Sequence, residues 1–176
     1  MIQRTLARTT HPAWYRVIVP AYARTPCSGM GAARQGGRFN RPGQEALYLA
    51  LETATALAEY QQDNPWLPPG TLCTFFVDGL RVADLAAGFD PAHWPPLWAD
   101  HALDWRAEWF GRRTEPPTWY MADDVGAEGL DGILFPSQAR PVGTNLVIYA
   151  SSLRLSHQLS VYDPDGRLPQ DPHEHP

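Results

Sequence analysis

The sequence predicts a single compact α+β domain, on three observations. The chain has 176 residues, the length of one ordinary domain. It is 44% hydrophobic and 19% charged, which supplies a core and argues against global disorder. Its apolar residues fall in short strand-like runs broken by turn residues, with few helical segments and no internal repeat or heptad.

The elements follow in order. AWYRVIV at 13–19 is rich in β-formers and predicts a strand. Residues 21–37 are small and Gly-rich, which predicts a loop open to close backbone approach. EALYLAL at 45–51 is a buried strand by length and content. Alternation sets Leu47, Leu49 and Leu51 on one face and Ala46, Tyr48 and Ala50 on the other. The leucine face is the expected core, and the lightly filled face is expected to meet a helix or a ligand.

Residues 53–62 predict a helix, with Thr53 or Thr55 as its N-cap. Ala54, Leu57, Ala58 and Gln61 share a stripe, and helix geometry sets Glu59 off it, toward solvent or a cleft. NPWLPPG at 64–70 breaks the chain. TLCTFFV at 71–77 and RVADL at 81–85 predict strands around an Asp78-Gly79 turn. Residues 89–119 are dense in Pro and Trp, with one short helix expected over 99–110. Trp105 and Trp109 in it are expected to pack on the core. A helix over 119–128 ends near Gly129, and strands follow at 131–135 and 144–150. The polar tail from Asp163 reads as disordered. His173, Glu174 and His175 in it are better taken as a polar end than as a metal site.

Charge and targeting narrow the function. No apolar run approaches the roughly 18 residues of a membrane span, and the first residues lack an apolar signal core. The expected location is the cytoplasm. Cys27 and Cys73 are too few for a disulfide framework and lack metal-ligand spacing. All 14 basic residues are Arg, which excludes a Schiff-base or Walker-type lysine. Seven of them, and no acid, lie in residues 1–44. A net charge of −5 argues against general nucleic-acid binding. The basic segment suits a small anion or an acidic protein partner.

Four residues carry candidate chemistry. Arg38 follows the glycine pair Gly36-Gly37 in GGRFN. A guanidinium beside flexible backbone favours an anion site, although an exposed loop Arg is the commoner outcome. Tyr48 is a core tyrosine by pattern; the alternative is an aromatic platform for a planar group. Glu59 is a solvated helix residue by pattern; the alternative is a carboxylate that stabilises an oxocarbenium-like sugar. Ser137 is a turn serine by pattern; the alternative is a hydroxyl that orients a ribose or a nucleophile. No GxSxG elbow accompanies it, so a serine hydrolase is a poor reading. Glu52 reads as a helix-start residue.

Taken together, these segments resemble the RES domain, the toxin of a family of bacterial toxin–antitoxin pairs. GGRFN supplies Arg38, ALYLA supplies Tyr48, TALAE supplies Glu59 and FPSQAR supplies Ser137, in the family's order. WYRV and GMGAARQ look like its N-terminal part, so the resemblance spans roughly residues 13–150. The Trp/Pro-rich region and the tail match nothing in it. The resemblance implies residues 1–160 as the catalytic domain and 161–176 as a flexible tail. It implies a fold like the ADP-ribosyltransferase core, with split, mostly antiparallel sheets and a cleft for NAD.

NAD+ is then a substrate, with no prosthetic group and no metal. The implied activity is cleavage of the nicotinamide–ribose bond, with phosphate or water as acceptor. Transfer of ADP-ribose to a protein, or a binding module without turnover, are the alternatives. The resemblance assigns Arg38, with Gly37, to the pyrophosphate and Tyr48 to the nicotinamide end. It assigns Glu59 to the oxocarbenium-like centre, Ser137 to the ribose or acceptor, and Arg16 to a further NAD contact. The implied partner is an antitoxin with a helix-turn-helix DNA-binding part, whose C-terminal end commonly blocks the cleft.

Overall fold

The computed structural model describes residues 1–11, 13–149 and 158–170. Among the described residues eight strands form one sheet: β1 (Gln3–Leu6), β2 (Trp14–Ile18), β3 (Ala46–Ala50), β4 (Thr71–Val77), β5 (Leu80–Asp84), β6 (Gly132–Pro136), β7 (Thr144–Tyr149) and β8 (Leu159–Val161). The helices are α1 (Met30–Gln35), α2 (Thr53–Gln61) and α3 (Pro117–Ala127). The sheet order is β1-β5-β6-β7-β3-β2-β4-β8. Only β5 and β6 run parallel; every other pairing is antiparallel.

The sheet is split in the middle. β3 pairs with β7 over five positions and β2 with β4 over five. β2 and β3 share only Tyr15↔Ala50 and diverge on either side of it. The sheet also curls. Leu6 and Leu80 from one end pack in one buried cluster with Val77 and Leu159 from the other. Leu47, Leu49 and Leu51 join that cluster. Ala46 and Tyr48 pack on the opposite side, under Met121, Val125, Trp94 and Trp98. The alternation expected in ALYLA is therefore the alternation found.

Several local expectations change. α1 occupies part of the expected loop, because Gly29 lets the chain pass against β3. A Cβ there would lie 2.7 Å from the Ala46 nitrogen. The turn at Asp78-Gly79 exists, with Gly79 at φ +72°, but it does not close a hairpin. β4 and β5 lie near opposite ends of the sheet, and the curl brings them together. The single helix expected over 99–110 is instead two helical segments, a 3₁₀ one at Pro96–Ala102 and a π-helical one at Ala107–Arg112.

α2 is capped by neither threonine. Glu52 is its N-cap residue, and its Oε2 accepts from Thr55 Oγ1 at 2.6 Å and from the Thr144 N–H at 3.3 Å. The helix is also rotated from the expected stripe. Thr55 and Ala56 are buried and Leu57 is exposed. Small residues face inward because the neighbouring backbone is close: a Cβ on Gly143 would sit 2.3 Å from Thr55 Oγ1. Glu59, one turn beyond Thr55, thus shares the inward face.

The segment expected as tail begins in order. The Asp163 carboxylate accepts from the Arg167 and Leu168 N–H groups, and Leu168 packs against the first cluster. Residue 150 and the His173–Glu174–His175 group lie outside the described residues.

Candidate active site

A cavity of about 280 Å³ opens where β2 and β3 part. Tyr15, Arg16 and Val17 border it from β2, and Tyr48, Leu49 and Ala50 from β3. α2 supplies Ala56, Glu59 and Tyr60; Gly37 and Arg38 come from the loop after α1. Asn145, Phe135, Trp105 and Arg106 complete its walls. Divergence of the two strands leaves a gap that residues from several other elements line, so polar groups distant in sequence converge here.

One part-buried polar contact joins residues 78 positions apart. Ser137 Oγ donates to Glu59 Oε1 at 2.7 Å. Asn145 Nδ2 donates to the same oxygen at 2.5 Å. Ser137 Oγ in turn accepts from the Arg140 N–H at 3.0 Å. The turn 137–143 is pinned to α2 by the Arg140 contact to Thr55 and by the Gly143 approach described above. Glu59 and Ser137 are therefore held by the same packing.

The Arg38 loop is over-determined. Asn40 is fully buried, and its Nδ2 donates to the Ala32, Arg41 and Gln44 carbonyls at 3.0–3.2 Å. Its Oδ1 accepts from the Tyr48 hydroxyl at 2.8 Å. That hydroxyl accepts from the Phe39 N–H at 3.0 Å. Trp119 Nε1 donates to the Gly37 carbonyl at 2.8 Å. Gly36 holds φ +82°, and a Cβ on Gly37 would collide with Tyr48 and Asn40. Tyr48 thus fixes the loop with its hydroxyl and presents its ring to the cavity. Burial raises its phenol pKa, so it stays neutral.

Arg38 Nη1 donates to the His101 carbonyl at 3.3 Å, and Nη2 donates to Gln138 Oε1. Gln138 continues to the Ala102 carbonyl. Burial lowers the Arg38 pKa, opposed most by the charge of Glu59. A guanidinium remains charged under that pressure. Arg106 stands on the same rim, 4.6 Å above the Trp105 ring, with a 3.4 Å bond to Gln62 Oε1. Neither Arg38 nor Arg106 has a salt-bridge partner among the described residues.

Arg16 borders the cavity, yet its Nη1 donates to the Ser28 carbonyl at 3.2 Å. By alternation it shares a side with Trp14 and Ile18, and Cys27 and Cys73 surround it electrostatically. It is the least central of the expected contacts. Both cysteines are free thiols, and burial raises both thiol pKa values.

Sequence reasoning missed Asn40, Asn145, Arg106 and Trp105 as parts of this site. Asn40 stood within GGRFN and was legible as motif. The other three carry no local signal. The Trp/Pro-rich region proves to be a wall: Trp98 donates to Asp124 of α3, Trp109 packs on Trp119 at 4.8 Å, and Trp105 borders the cavity rather than only the core.

A split sheet whose fork gathers one hydrogen-bonded carboxylate and two guanidiniums without a salt-bridge partner among the described residues defines an α+β domain with a cleft suited to an anionic ligand. The chain belongs to the RES domain family: the family's model matches residues 13–171. A relative described as Toxin Res, from Yersinia enterocolitica, is 29% identical over 143 residues, covering 76% of this chain and 81% of that protein. The fold is similar to a chain in the crystal structure of the M. tuberculosis MbcT–MbcA toxin–antitoxin complex, with a TM-score of 0.61. That match has 23% identity and covers 86% of this chain and 81% of the other.

Proposed function

We propose that this chain is the toxin of a toxin–antitoxin pair and that it consumes NAD+ by cleaving the nicotinamide–ribose bond. The observation that carries this reading is the Glu59–Ser137 contact at a cavity that Arg38 and Arg106 also line. One carboxylate suits a developing cation on a ribose, and two guanidiniums suit a diphosphate.

NAD+ lies with its diphosphate against Arg38 and Arg106, where the Gly37 backbone permits close approach. The nicotinamide ribose reaches Glu59, and the Tyr48 ring confines the nicotinamide. The C1′–N bond breaks with its electron pair leaving on nitrogen, so nicotinamide departs neutral and needs no proton. Positive charge passes to C1′ and O4′ of the ribose, where Glu59 stabilises it. Phosphate or water then adds to C1′ and, in the case of water, releases a proton. Ser137 acts mainly on Glu59, because its one proton is already directed to Oε1. Arg16 contributes positive potential from the cavity edge. NAD+ is substrate here, not a resident cofactor.

Family membership and the toxin–antitoxin complex of the structural relative support an antitoxin partner; that this partner carries a helix-turn-helix part is what the resemblance implies. An NAD+-consuming toxin acts in the cytoplasm. No described helix is long and apolar enough to cross a membrane.

The test is incubation of purified protein with NAD+, with and without inorganic phosphate, followed by product identification. Phosphorylated ADP-ribose marks phosphorolysis and free ADP-ribose marks hydrolysis. Glu59→Gln is expected to abolish turnover at unchanged fold, and full turnover by that variant would sink the mechanism. Labelled protein in a lysate without free ADP-ribose would favour protein modification. Binding of NAD+ without any turnover would favour an inactive binding module.

A further inference from the structure

We propose that Asn145 is a positioning residue that, with Ser137, locks the Glu59 carboxylate so that its second oxygen faces the substrate. This rests on the catalytic role proposed for Glu59. Asn145 lies on β7, fixed between Ala50 of β3 and Phe135 of β6 by backbone pairing. Its side chain is buried and turns toward the cavity. The contacting atom is the amide nitrogen, since the amide oxygen would face a carboxylate oxygen and repel it.

The geometry has a specific consequence. Both donors meet Oε1, and neither engages Oε2. Glu59 sits near the C-terminal end of α2, on a side chain with three rotatable bonds. Two convergent donors remove that freedom before substrate arrives, which is how a fixed charge stabilises a transition state. Asn and Ser also hold the carboxylate without neutralising it. A lysine or arginine in either place would cancel the charge the ribose needs. Asn145 is thus a neutral clamp, and its strand is the rigid element that carries it.

The test compares wild type, Asn145→Ala and Asn145→Asp, alone and in a Glu59→Asp background, whose shortened carboxylate withdraws from the Asn145 amide. Asn145→Ala is expected to lower kcat about 10- to 100-fold, the worth of one hydrogen bond to a charged group, with KM for NAD+ changed less than about threefold. Asn145→Asp keeps the size but replaces the donor with an anion, so it is expected to be at least as damaging. In the Glu59→Asp background Asn145→Ala is expected to add less than about threefold. Thermal unfolding of each variant separates loss of fold from loss of positioning.

A kcat within twofold of wild type in Asn145→Ala would overturn the proposal. So would full activity in Asn145→Asp, which would mean packing alone, or an undiminished effect on Glu59→Asp. Growth arrest on induction is read in parallel and assumes no substrate. Arrest by wild type without NAD+ turnover, lost in Asn145→Ala, would sink the NAD+ reading and support this one. Arrest by Asn145→Ala as rapid and as complete as by wild type, at matched and limiting expression, would overturn this one.

Discussion

Gly37→Ala is the smallest change expected to disable the site without touching a charged group. The added methyl carbon would lie 2.4 Å from Asn40 Oδ1, 2.6 Å from the Tyr48 hydroxyl oxygen and 3.0 Å from its ring. None of these atoms is the free end of a flexible side chain. Tyr48 donates to Asn40 and accepts from Phe39, and Asn40 is tied to three carbonyls. Relief therefore requires overpacking, about 1–3 kcal/mol, and weakening of one or two hydrogen bonds, about 1 kcal/mol each.

Together these give roughly 2–5 kcal/mol, or a fall in Tm of about 4–20 °C for a chain of this size. Arg38 shifts with the loop, so turnover is expected to fall further than stability alone explains. Gly31→Ala is the control. It adds a Cβ that meets nothing within 4 Å in a helix where Ala is favoured by about 0.5–1 kcal/mol. Scanning calorimetry and NAD+ turnover on both variants decide it. A Gly37→Ala protein that melts within 2 °C of wild type, as an error bound of about 0.5 kcal/mol, would refute the reasoning.

Two further outcomes follow from the charges. Arg106→Ala is expected to raise KM about tenfold for NAD+, the scale of one charge-assisted contact, while leaving nicotinamide riboside cleavage unchanged; equal effects on both substrates would remove Arg106 from diphosphate binding. Arg41 pairs with Glu115 and Asp123 at 3.1 and 2.7 Å. Its hydrogen bonds lower the Glu115 pKa below the ordinary value. A carboxyl lowered on folding contributes stability above its unfolded value and loses it as pH falls through the folded one. Arg41→Ala is therefore expected to destabilise by about 1 kcal/mol at neutral pH, given partly exposed pairs. The difference should shrink below about pH 4.5, the unperturbed value. A difference that persists at low pH, measured by denaturant unfolding, would assign the effect to the Trp119 and Tyr120 contacts instead.

The sequence by itself determined the strands around the site and the order of its motifs. ALYLAL alternates cleanly, because a strand repeats every two residues and its two faces meet different surroundings. GGRFN, TALAE and FPSQAR marked Arg38, Glu59 and Ser137 as candidates, and the resemblance ordered them. Only the tertiary structure decided which way α2 turns. Its apolar stripe pointed outward, because close backbone at Gly143 selects small residues over large ones on the inner face. The same contact delivered Ser137 to Glu59. Asn145 and Arg106 were not legible in sequence, since a lone amide in a strand and a lone Arg among tryptophans carry no local pattern. Their places in the cavity wall arise where two strands share one register pair and then part, a long-range property that no window of residues contains.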